Sequence, residues 1–378
     1  MRELFDELDR WRREGTPVAI ARVVDIEGSG PRDPGAAMAV TAAGDVAGSV
    51  SGGCVEGAVV GEALLVLETG ERRLVEFGYS DDEAFAVGLT CGGTVHLFIE
   101  ALDWWAAVPD AAGPTLYDVL RNAVAEDRPV AVATVIDGMH VGAKLLVEPG
   151  RDPVGTLGEA ELDRVVARDA LGELAAGTTG VRRYGPCGEA AVDPDVEAVG
   201  VFIESFATKP RLLVFGAVDF TAALVRVAKV LGYVVTVCDA REVFATRRRF
   251  PDADEVVVDW PHRLLERVGP DLGPRDVVCV LTHDHKFDVP ALVGALATAA
   301  GYIGAMGSRR THDERVARLR DAGVDDAGLA RIHAPIGLDI GGRTPEETAV
   351  SICAEIIAVR TGRTDVRPLR AGAGPIHA

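Results

Sequence analysis

The stretch "RLLVFGAVDFTAALVRVAKVLGYVVTVCDA", residues 211–240, decides the fold of the second half of the chain. Two short runs rich in valine and leucine flank a segment with apolar residues at helical spacing, which ends at Gly232. Continuous apolar strands joined by a helix are typical of a parallel sheet that is buried on both faces. The stretch therefore predicts a βαβ unit with a right-handed crossover.

The same alternation of short apolar strands and helices continues after this stretch. Strands are predicted in "DEVVVDW", "DVVCVLTH" and "GYIGAMGS", with helices between them, one of them near residues 243–249. The alternation predicts a Rossmann-like parallel α/β domain over residues 209–361, followed by a flexible tail at residues 362–378. Three cysteines lie in apolar runs and are predicted to be core residues: Cys238, Cys279 and Cys353.

The first half of the chain repeats itself. "PVAIARVVDIEG" at Pro17 is similar to "PVAVATVIDGMH" at Pro129, and "LFIEAL" is similar to "VFIESF". We predict two copies of one β-rich unit, the first copy at about residues 17–102 and the second copy at about 129–206, each with a helix after its glycine loop. The predicted fold class is α/β: a pseudo-repeated, β-rich α+β domain over residues 1–208, followed by the Rossmann-like domain.

The composition of the 378-residue chain limits its class. Apolar residues make up 48%, as in an ordinary globular protein. The net charge of −19 argues against a nucleic-acid partner, which needs a basic face, and the run "RRR" at residues 247–249 is predicted to be a solvated helix face. No stretch approaches the roughly 18 apolar residues of a membrane span, and no signal peptide is recognisable. The six cysteines lack CxxC spacing, which predicts a reduced, cytoplasmic protein.

Two cysteines differ from the core cysteines because they lie in glycine loops. Cys54 follows two glycines in "GSVSGGCVEG" (residues 48–57), whereas Cys91 precedes two glycines in "TCGGT" (residues 90–94). The second copy has "LGEA" where the first has "SGGC", so this thiol belongs to one copy only. Either loop would meet a purely architectural need, and the difference therefore favours a functional thiol. Cys187, in "GPCGEA", is a weaker third candidate.

Cys54 is predicted to lie in the first turn of the helix that follows it, with Ser51 as the candidate N-cap. A helix N-terminus favours the thiolate, which is both the nucleophile and the soft-metal ligand. The alternative interpretation is a cysteine that is tolerated where serine or alanine would serve equally well.

The first turn of the Rossmann-like domain departs from the G-x-G-x-x-G pattern. It reads "GAVDFT", so Gly216 keeps the first glycine position, while Val218 and Thr221 replace the other two. A valine side chain obstructs the approach of a pyrophosphate to the backbone, and Asp219 adds a negative charge beside it. Asp239 ends the second strand, where a ribose-binding acid would lie. The turn therefore argues against a standard NAD(P) site.

A second turn of this domain is better suited to an anion. In "YIGAMGSRRTHDE" a strand is followed by Gly307, the candidate N-cap Ser308, and two arginines in the first helical turn, Arg309 and Arg310. Acidic residues normally favour that turn, and two arginines there indicate an anion bound at the helix N-terminus. The alternative is a pair of solvated arginines.

Polar residues also follow the strand in "LTHDHKFD", at the carboxyl edge of the sheet where ligands of α/β proteins bind. His283, Asp284, His285 and Asp288 fit three interpretations: a metal site, contacts with a polar substrate, or capping of a helix after Asp288. The last helix begins with a capping box at Thr344, and the "GLDIGG" loop before it is predicted to face the same sheet edge.

These motifs together resemble a known family. "GSGPRDPGAAMAV", "GSVSGGCVEG" and "CGGTVHLFIE" resemble the N-terminal signature of the xanthine dehydrogenase accessory family, XdhC/CoxI. "DADEVVVDW", "LTHDHKFD", "YIGAMGSRR" and "HAPIGLDIGGRTPEETAVSICAEIIA" resemble its Rossmann domain, and the resemblance covers nearly the whole chain. The family usually has "GAGHVG" where this chain has "GAVDFT", which weakens an oxidoreductase interpretation.

The resemblance implies a maturation factor without turnover of its own. Such proteins are understood to bind molybdenum cofactor, to shelter it during sulfuration, and to deliver it to a molybdenum hydroxylase such as xanthine or carbon monoxide dehydrogenase. A cysteine desulfurase-type sulfur donor is then an expected partner, and a homodimer is an expected assembly. The alternatives are an NAD(P)-dependent oxidoreductase, which uses the Rossmann domain, and a protein-interaction scaffold.

On this interpretation the chain has three kinds of candidate site residue. The candidate reacting thiols are Cys54, which is also the candidate ligand of the cofactor molybdenum, and Cys91. The candidate cofactor-binding residues of the first domain are Ser51, Gly52, Gly53, Glu56, Gly92 and Gly93. Those of the second domain are Gly216, Asp239, His283, Asp284, Gly307, Ser308, Arg309 and Arg310.

Overall fold

A computed structural model describes the chain at residues 1–28, 30, 32–78, 93–105, 114–185, 188, 198–363 and 365–372. The chain divides into two compact units, which are Met1–Thr208 together with Pro368–Ala378, and Lys209–Arg367. The first unit is built on antiparallel sheets and the second on a parallel sheet, so the predicted α/β fold class is confirmed.

The first unit contains two matching sets of elements. The first set is α1 (Phe5–Glu14), β1 (Val18–Glu27), β2 (Ala37–Thr41), β3 (Val46–Gly48), α2 (Glu56–Thr69), β4 (Arg73–Phe77) and β5 (Thr94–Ala101). The second set is α3 (Leu116–Ala125), β6 (Val130–Asp137), β7 (Lys144–Val147), β8 (Val154–Thr156), α4 (Ala160–Ala176), β9 (Gly180–Tyr184) and β10 (Val199–Phe206). The sheets have equivalent strand orders, β3-β2-β1-β5-β4 and β8-β7-β6-β10-β9, so the internal repeat is present in the fold.

Alternation along the strands assigns the two faces of each sheet. On β1, Ala19 and Ala21 point to the face that α2 covers, and the equivalent face of the second sheet is covered by α4. The opposite faces of the two sheets share one apolar cluster: Val24, Phe98, Ile136 and Phe202. These residues occupy equivalent positions in the two copies, so the copies pack together through their inner sheet faces.

The inner faces also carry a buried network of ion pairs. Arg22 on β1 and Glu100 on β5 are fully buried and form a salt bridge. Nζ of Lys144, from the second copy, lies 2.7 and 2.9 Å from the two carboxylate oxygens of Glu100. Nη1 of Arg22 lies 3.6 Å from Oε2 of Glu204, which occupies the position of Glu100 in the second copy. The network therefore joins the two copies by charge as well as by apolar packing.

The second unit has one sheet with the order β13-β12-β11-β14-β15-β16, and all its strand pairs are parallel. Its strands are β11 (Arg211–Phe215), β12 (Val234–Cys238), β13 (Glu255–Val257), β14 (Val277–Val280), β15 (Tyr302–Ala305) and β16 (Ile332–His333). Its helices are α5 (Asp219–Val230), α6 (Pro261–Val268), α7 (His285–Leu296), α8 (Arg309–Asp321), α9 (Asp326–Ala330) and α10 (Pro345–Arg360). Apolar clusters lie on both faces of the sheet.

Two details of the second unit differ from the sequence predictions. The helix predicted near 243–249 is wrong, because the segment consists of turns. Its arginines are not a solvated helix face, since Arg247 donates to the carbonyl oxygens of Ala253 and Asp254. Arg249 donates to a carbonyl oxygen of the turn after β11.

The chain after α10 has little regular structure among the residues described. It forms one 3-10 turn, at Leu369–Ala371. Of the helices that the structure describes, none combines the length and the apolar character that a membrane crossing requires.

Candidate functional site

The loop between β3 and α2 is organised by one carboxylate. Oε1 of Glu56 accepts hydrogen bonds from the Ser49 hydroxyl at 2.6 Å and the Ser51 N–H at 2.9 Å. Oε2 accepts from the Ser51 hydroxyl at 2.5 Å and the Gly53 N–H at 2.8 Å. The Gly52 N–H donates to the Ser49 hydroxyl oxygen. The side chains of this loop therefore satisfy its own backbone donors.

The structure places Cys54 just before α2 and not in its first turn, which corrects the prediction. Gly52 and Gly53 have φ angles of +78° and +119°, which L-residues with a side chain rarely adopt, so helical geometry cannot start there. Ser51 does not cap α2; its hydroxyl oxygen accepts the N–H groups of Cys54 at 2.9 Å and Val55 at 3.0 Å. The half-buried Cys54 packs against the core under α2.

The second copy has a longer helix at the place where the first copy has Gly52 and Gly53. Helices α2 and α4 end at Thr69 and Ala176, an offset of 107 residues, and the same offset aligns Glu56 with Asp163. Helix α4 nevertheless begins three residues earlier, at Ala160. The residues that align with this extra segment are Gly53, Cys54 and Val55. At these three positions the second copy is helical, whereas the first copy forms a turn that contains Cys54.

One more candidate residue of the first unit, Gly93, lies at the start of a central strand. Thr94, the first residue of β5, pairs with Glu27 at the end of β1. Gly93, directly before β5, is buried. The candidates Cys91, Gly92 and Cys187 lie outside the described residues, and their roles stay predictions.

In the second unit, the first Rossmann turn is occupied by its own side chains. Gly216 has a φ of +113°, and a Cβ atom there would lie 2.8 Å from the Thr282 side chain. The carboxylate of Asp239 accepts the Ala217 N–H at 2.8 Å and the Arg241 guanidinium at 2.8 and 3.0 Å. Burial alone would raise the pKa of Asp239, but these hydrogen bonds outweigh it and lower the pKa. Asp239 already has partners where a ribose would bind.

The helix start that would hold a pyrophosphate is also occupied. Asp219 is the first residue of α5, so its carboxylate lies where the helix dipole favours an anion. Nη2 of Arg249 lies 3.3 Å from the Asp219 carboxylate, and Nη1 donates to the Ala217 carbonyl oxygen at 3.0 Å. These contacts agree with the sequence argument against a standard dinucleotide site.

We therefore predict that the protein does not bind nicotinamide dinucleotides in the micromolar range. Val218 at the second glycine position, the Asp219 carboxylate and the Asp239–Arg241 pair each oppose a bound dinucleotide. Calorimetric titration with NAD(H) and NADP(H) checks this expectation. Micromolar binding of either would restore the oxidoreductase interpretation.

The residues after β14 form a helix cap and a buried pair. The Asp284 carboxylate accepts the Lys286 N–H at 3.0 Å and caps α7, which begins at His285 and not after Asp288. Asp288 is buried, where it bonds the Thr282 hydroxyl and lies 3.1 Å from Nη2 of Arg315. Within the described residues, no group of three or more metal-ligating side chains occurs.

The turn between β15 and α8 has the predicted cap. The Ser308 hydroxyl accepts the Thr311 N–H at 3.1 Å, and Arg309 begins the helix. Arg309 and Arg310 are exposed, and Arg310 pairs with Glu314 at 3.3 Å. No acidic residue lies in this first helical turn, which favours an anion there, although the side chain of Arg310 is already paired with Glu314.

Sequence reasoning missed the way in which α10 holds the "GLDIGG" loop. Glu347, Ser351 and Glu355 lie on one face of the helix at a spacing of four residues, which is the available signal. Glu347 forms the predicted capping box with Thr344. The Ser351 hydroxyl donates to the Leu338 carbonyl oxygen, and Glu355 accepts the Gly337 N–H at 2.7 Å. The start of the loop is thus fixed to the helix.

Family models match both units of the chain. The model of the XdhC Rossmann domain matches residues 212–356. The model of the XdhC and CoxI family matches residues 11–78 and 123–185, which fall in the two copies of the first unit. The chain belongs to the XdhC and CoxI family.

Relatives of this XdhC and CoxI family member carry names from molybdenum enzymology. A Bacillus subtilis protein named as a probable xanthine dehydrogenase subunit is 26% identical over 93% of this chain and 96% of its own length. The molybdenum cofactor insertion chaperone PaoD of Escherichia coli is 25% identical over 92% of this chain and 84% of its own length. The crystal structure of a Bacillus halodurans protein described as a xanthine dehydrogenase shares the fold, with a TM-score of 0.63, 24% identity, and coverage of 97% of this chain and 98% of that one.

Proposed function

We propose that this protein binds molybdenum cofactor and inserts it into a molybdenum hydroxylase of the xanthine or carbon monoxide dehydrogenase type. The observation that carries the proposal is the glycine turn of the first copy, which replaces a helical segment and presents Cys54. The family, and the name of the PaoD relative, support a role in the maturation of molybdenum enzymes. The cofactor is cargo in this proposal and is passed on without turnover.

Each unit, taken by itself, contains groups that suit one part of the cargo. Molybdopterin has a dithiolene-bound metal and a phosphate. A cysteine is a soft ligand that suits exchange at the metal, and Cys54 is the described thiol that lies in a loop. The start of α8, with Ser308, Arg309 and Arg310, suits a phosphate.

The proposal also includes sulfuration of the bound cofactor, a sulfur donor, further cofactor contacts and an assembly. A cysteine desulfurase-type donor would supply the sulfur while the cofactor is sheltered, and a reduced cytoplasm would keep Cys54 and Cys91 as thiols. His283 and Asp284, at the carboxyl edge of the parallel sheet, are proposed as further polar contacts. The homodimer stays a prediction.

Cofactor content tests the proposal directly. We expect the full-length protein, purified after co-expression with cofactor biosynthesis, to carry stoichiometric molybdopterin. Oxidation to the fluorescent pterin measures it, and a host without cofactor biosynthesis is the control. Absence of pterin from the co-expressed protein contradicts the proposal.

The phosphate contact has its own prediction. Arg309→Ala is expected to weaken cofactor retention by about tenfold or more, since a hydrogen bond to a charged group contributes about 1.5–3 kcal/mol. Arg318→Ala, which removes an exposed arginine near the other end of α8, is the matched control and should leave retention unchanged. Bound pterin per chain after gel filtration is the measurement. Equal loss in the two variants would point to general charge and not to a phosphate at the helix start.

A further inference from the structure

We infer that Glu56 is a positioning residue, which builds the loop that presents Cys54 and does not itself bind the cofactor. The inference rests on the proposed function only for the role of Cys54. From the sequence alone, Glu56 is expected to bind the cofactor. In this inference Glu56 instead fixes the position of the Cys54 thiol.

The hydrogen-bonding capacity of Glu56 is already used by the loop. Each carboxylate oxygen accepts two hydrogen bonds, from Ser49 and Ser51 on one side and from Ser51 and Gly53 on the other. A carboxylate offers about four acceptor sites. Glu56 therefore keeps no acceptor for a ligand.

The second copy uses the same device without a thiol. The Asp163 carboxylate accepts the Thr156 hydroxyl at 2.8 Å and the Leu157 N–H at 2.7 Å. Thr156 lies seven residues before Asp163, just as Ser49 lies seven residues before Glu56. Asp163 is thus a loop-bonding carboxylate at the equivalent position, although it accepts two hydrogen bonds where Glu56 accepts four, and it supplies a control within the same chain.

The experiment compares Glu56→Gln with Asp163→Asn in the full-length, cofactor-free protein. In Glu56→Gln an NH2 group replaces one carboxylate oxygen. It cannot accept the hydrogen bonds that Ser49, Ser51 and Gly53 donate to the carboxylate, so the loop should open. We expect alkylation of Cys54 by iodoacetamide, and hydrogen exchange at residues 52–55, to rise about tenfold or more in Glu56→Gln. Mass spectrometry of the tryptic peptide 33–72 isolates this thiol, because the peptide contains no other cysteine.

The control variant separates positioning from general stability. Asp163→Asn should lower the melting temperature to a comparable degree and leave Cys54 alkylation at the wild-type rate. Ser49→Ala, which removes one of the four donors, should raise alkylation by a smaller factor and serves if Glu56→Gln does not fold.

Two results would overturn the inference. One is alkylation and exchange at the wild-type level in Glu56→Gln, which would mean that Glu56 does not hold the loop around Cys54. The other is an equal rise in Glu56→Gln and Asp163→Asn, which would make the effect global. Neither readout needs bound cofactor, so failure here is distinguishable from failure of the proposed function.

Discussion

Replacing Arg22 by methionine is expected to lower the free energy of unfolding of the first unit by about 3–5 kcal/mol. Arg22 is fully buried and pairs with Glu100, while its Nη1 lies 3.6 Å from the Glu204 carboxylate. Lys144 still pairs with Glu100, and the N-terminal ammonium of Met1 lies 3.6 Å from the Glu204 carboxylate, but both buried carboxylates lose the guanidinium. The cost comes from removing this cation from between two buried carboxylates.

Tryptophan fluorescence during urea unfolding measures this loss. Trp260 is the tryptophan of the second unit, and Trp11, Trp104 and Trp105 belong to the first, so a Trp260→Phe background confines the signal to the first unit. The exposed Arg10, which pairs with Glu7, supplies the control substitution Arg10→Met, and that change should have little effect. A similar midpoint for the Arg22 and Arg10 variants would show that the buried network contributes little.

Replacing Cys54 by serine is expected to reduce activation of the client hydroxylase to near background while the fold is kept. Serine is nearly isosteric with cysteine, and Ser51 and Glu56 hold the turn around Cys54 by hydrogen bonds that the substitution leaves in place. An alcohol is a poor soft-metal ligand and a poor nucleophile at neutral pH. Client activity after co-expression is the measurement, with melting temperature as the check on folding.

The second copy again provides the control for this prediction. Glu161 aligns with Cys54 at the helix offset but lies in the first turn of α4, exposed to solvent. Glu161→Ser should therefore leave client activation unchanged. Wild-type activation by the Cys54→Ser variant would mean that the cysteine is merely tolerated at this position.

The sequence predicts the repeat because the two copies keep similar strand segments, and it predicts the parallel sheet because short, continuous apolar runs alternate with helical segments. The buried ion network was missed, since Arg22 stands in an otherwise apolar strand and its partners are distant in sequence. A signal was available in the equivalent strands "LFIEAL" and "VFIESF", which carry Glu100 and Glu204 at the same position. Charged residues at inward-facing strand positions indicate buried partners.

The errors in the second unit and at Cys54 arise from side chains that bond the backbone. The side chains of Arg247 and Arg249 donate hydrogen bonds to backbone carbonyl oxygens elsewhere in the same chain, and the segment 243–249, which the sequence predicts to be a helix, forms turns. Glu56 and two glycines with positive φ move the start of α2 beyond Cys54. The spacing of apolar residues along a helix does not reveal such side chain-to-backbone hydrogen bonds, because they depend on which backbone groups the folded chain brings close to the side chain.

The self-satisfied loop around Cys54 bears on how readily cargo could be exchanged. Its N–H groups are bonded to Ser49, Ser51 and Glu56, so the shape of the loop is fixed by its own side chains. A loop that already has its bound conformation loses little conformational entropy when a ligand binds, and it does not need to refold when the ligand dissociates. On the proposed function, the affinity for cargo would then be decided by direct contacts such as those of Cys54 and Arg309, and a recipient enzyme would need to outcompete only those contacts.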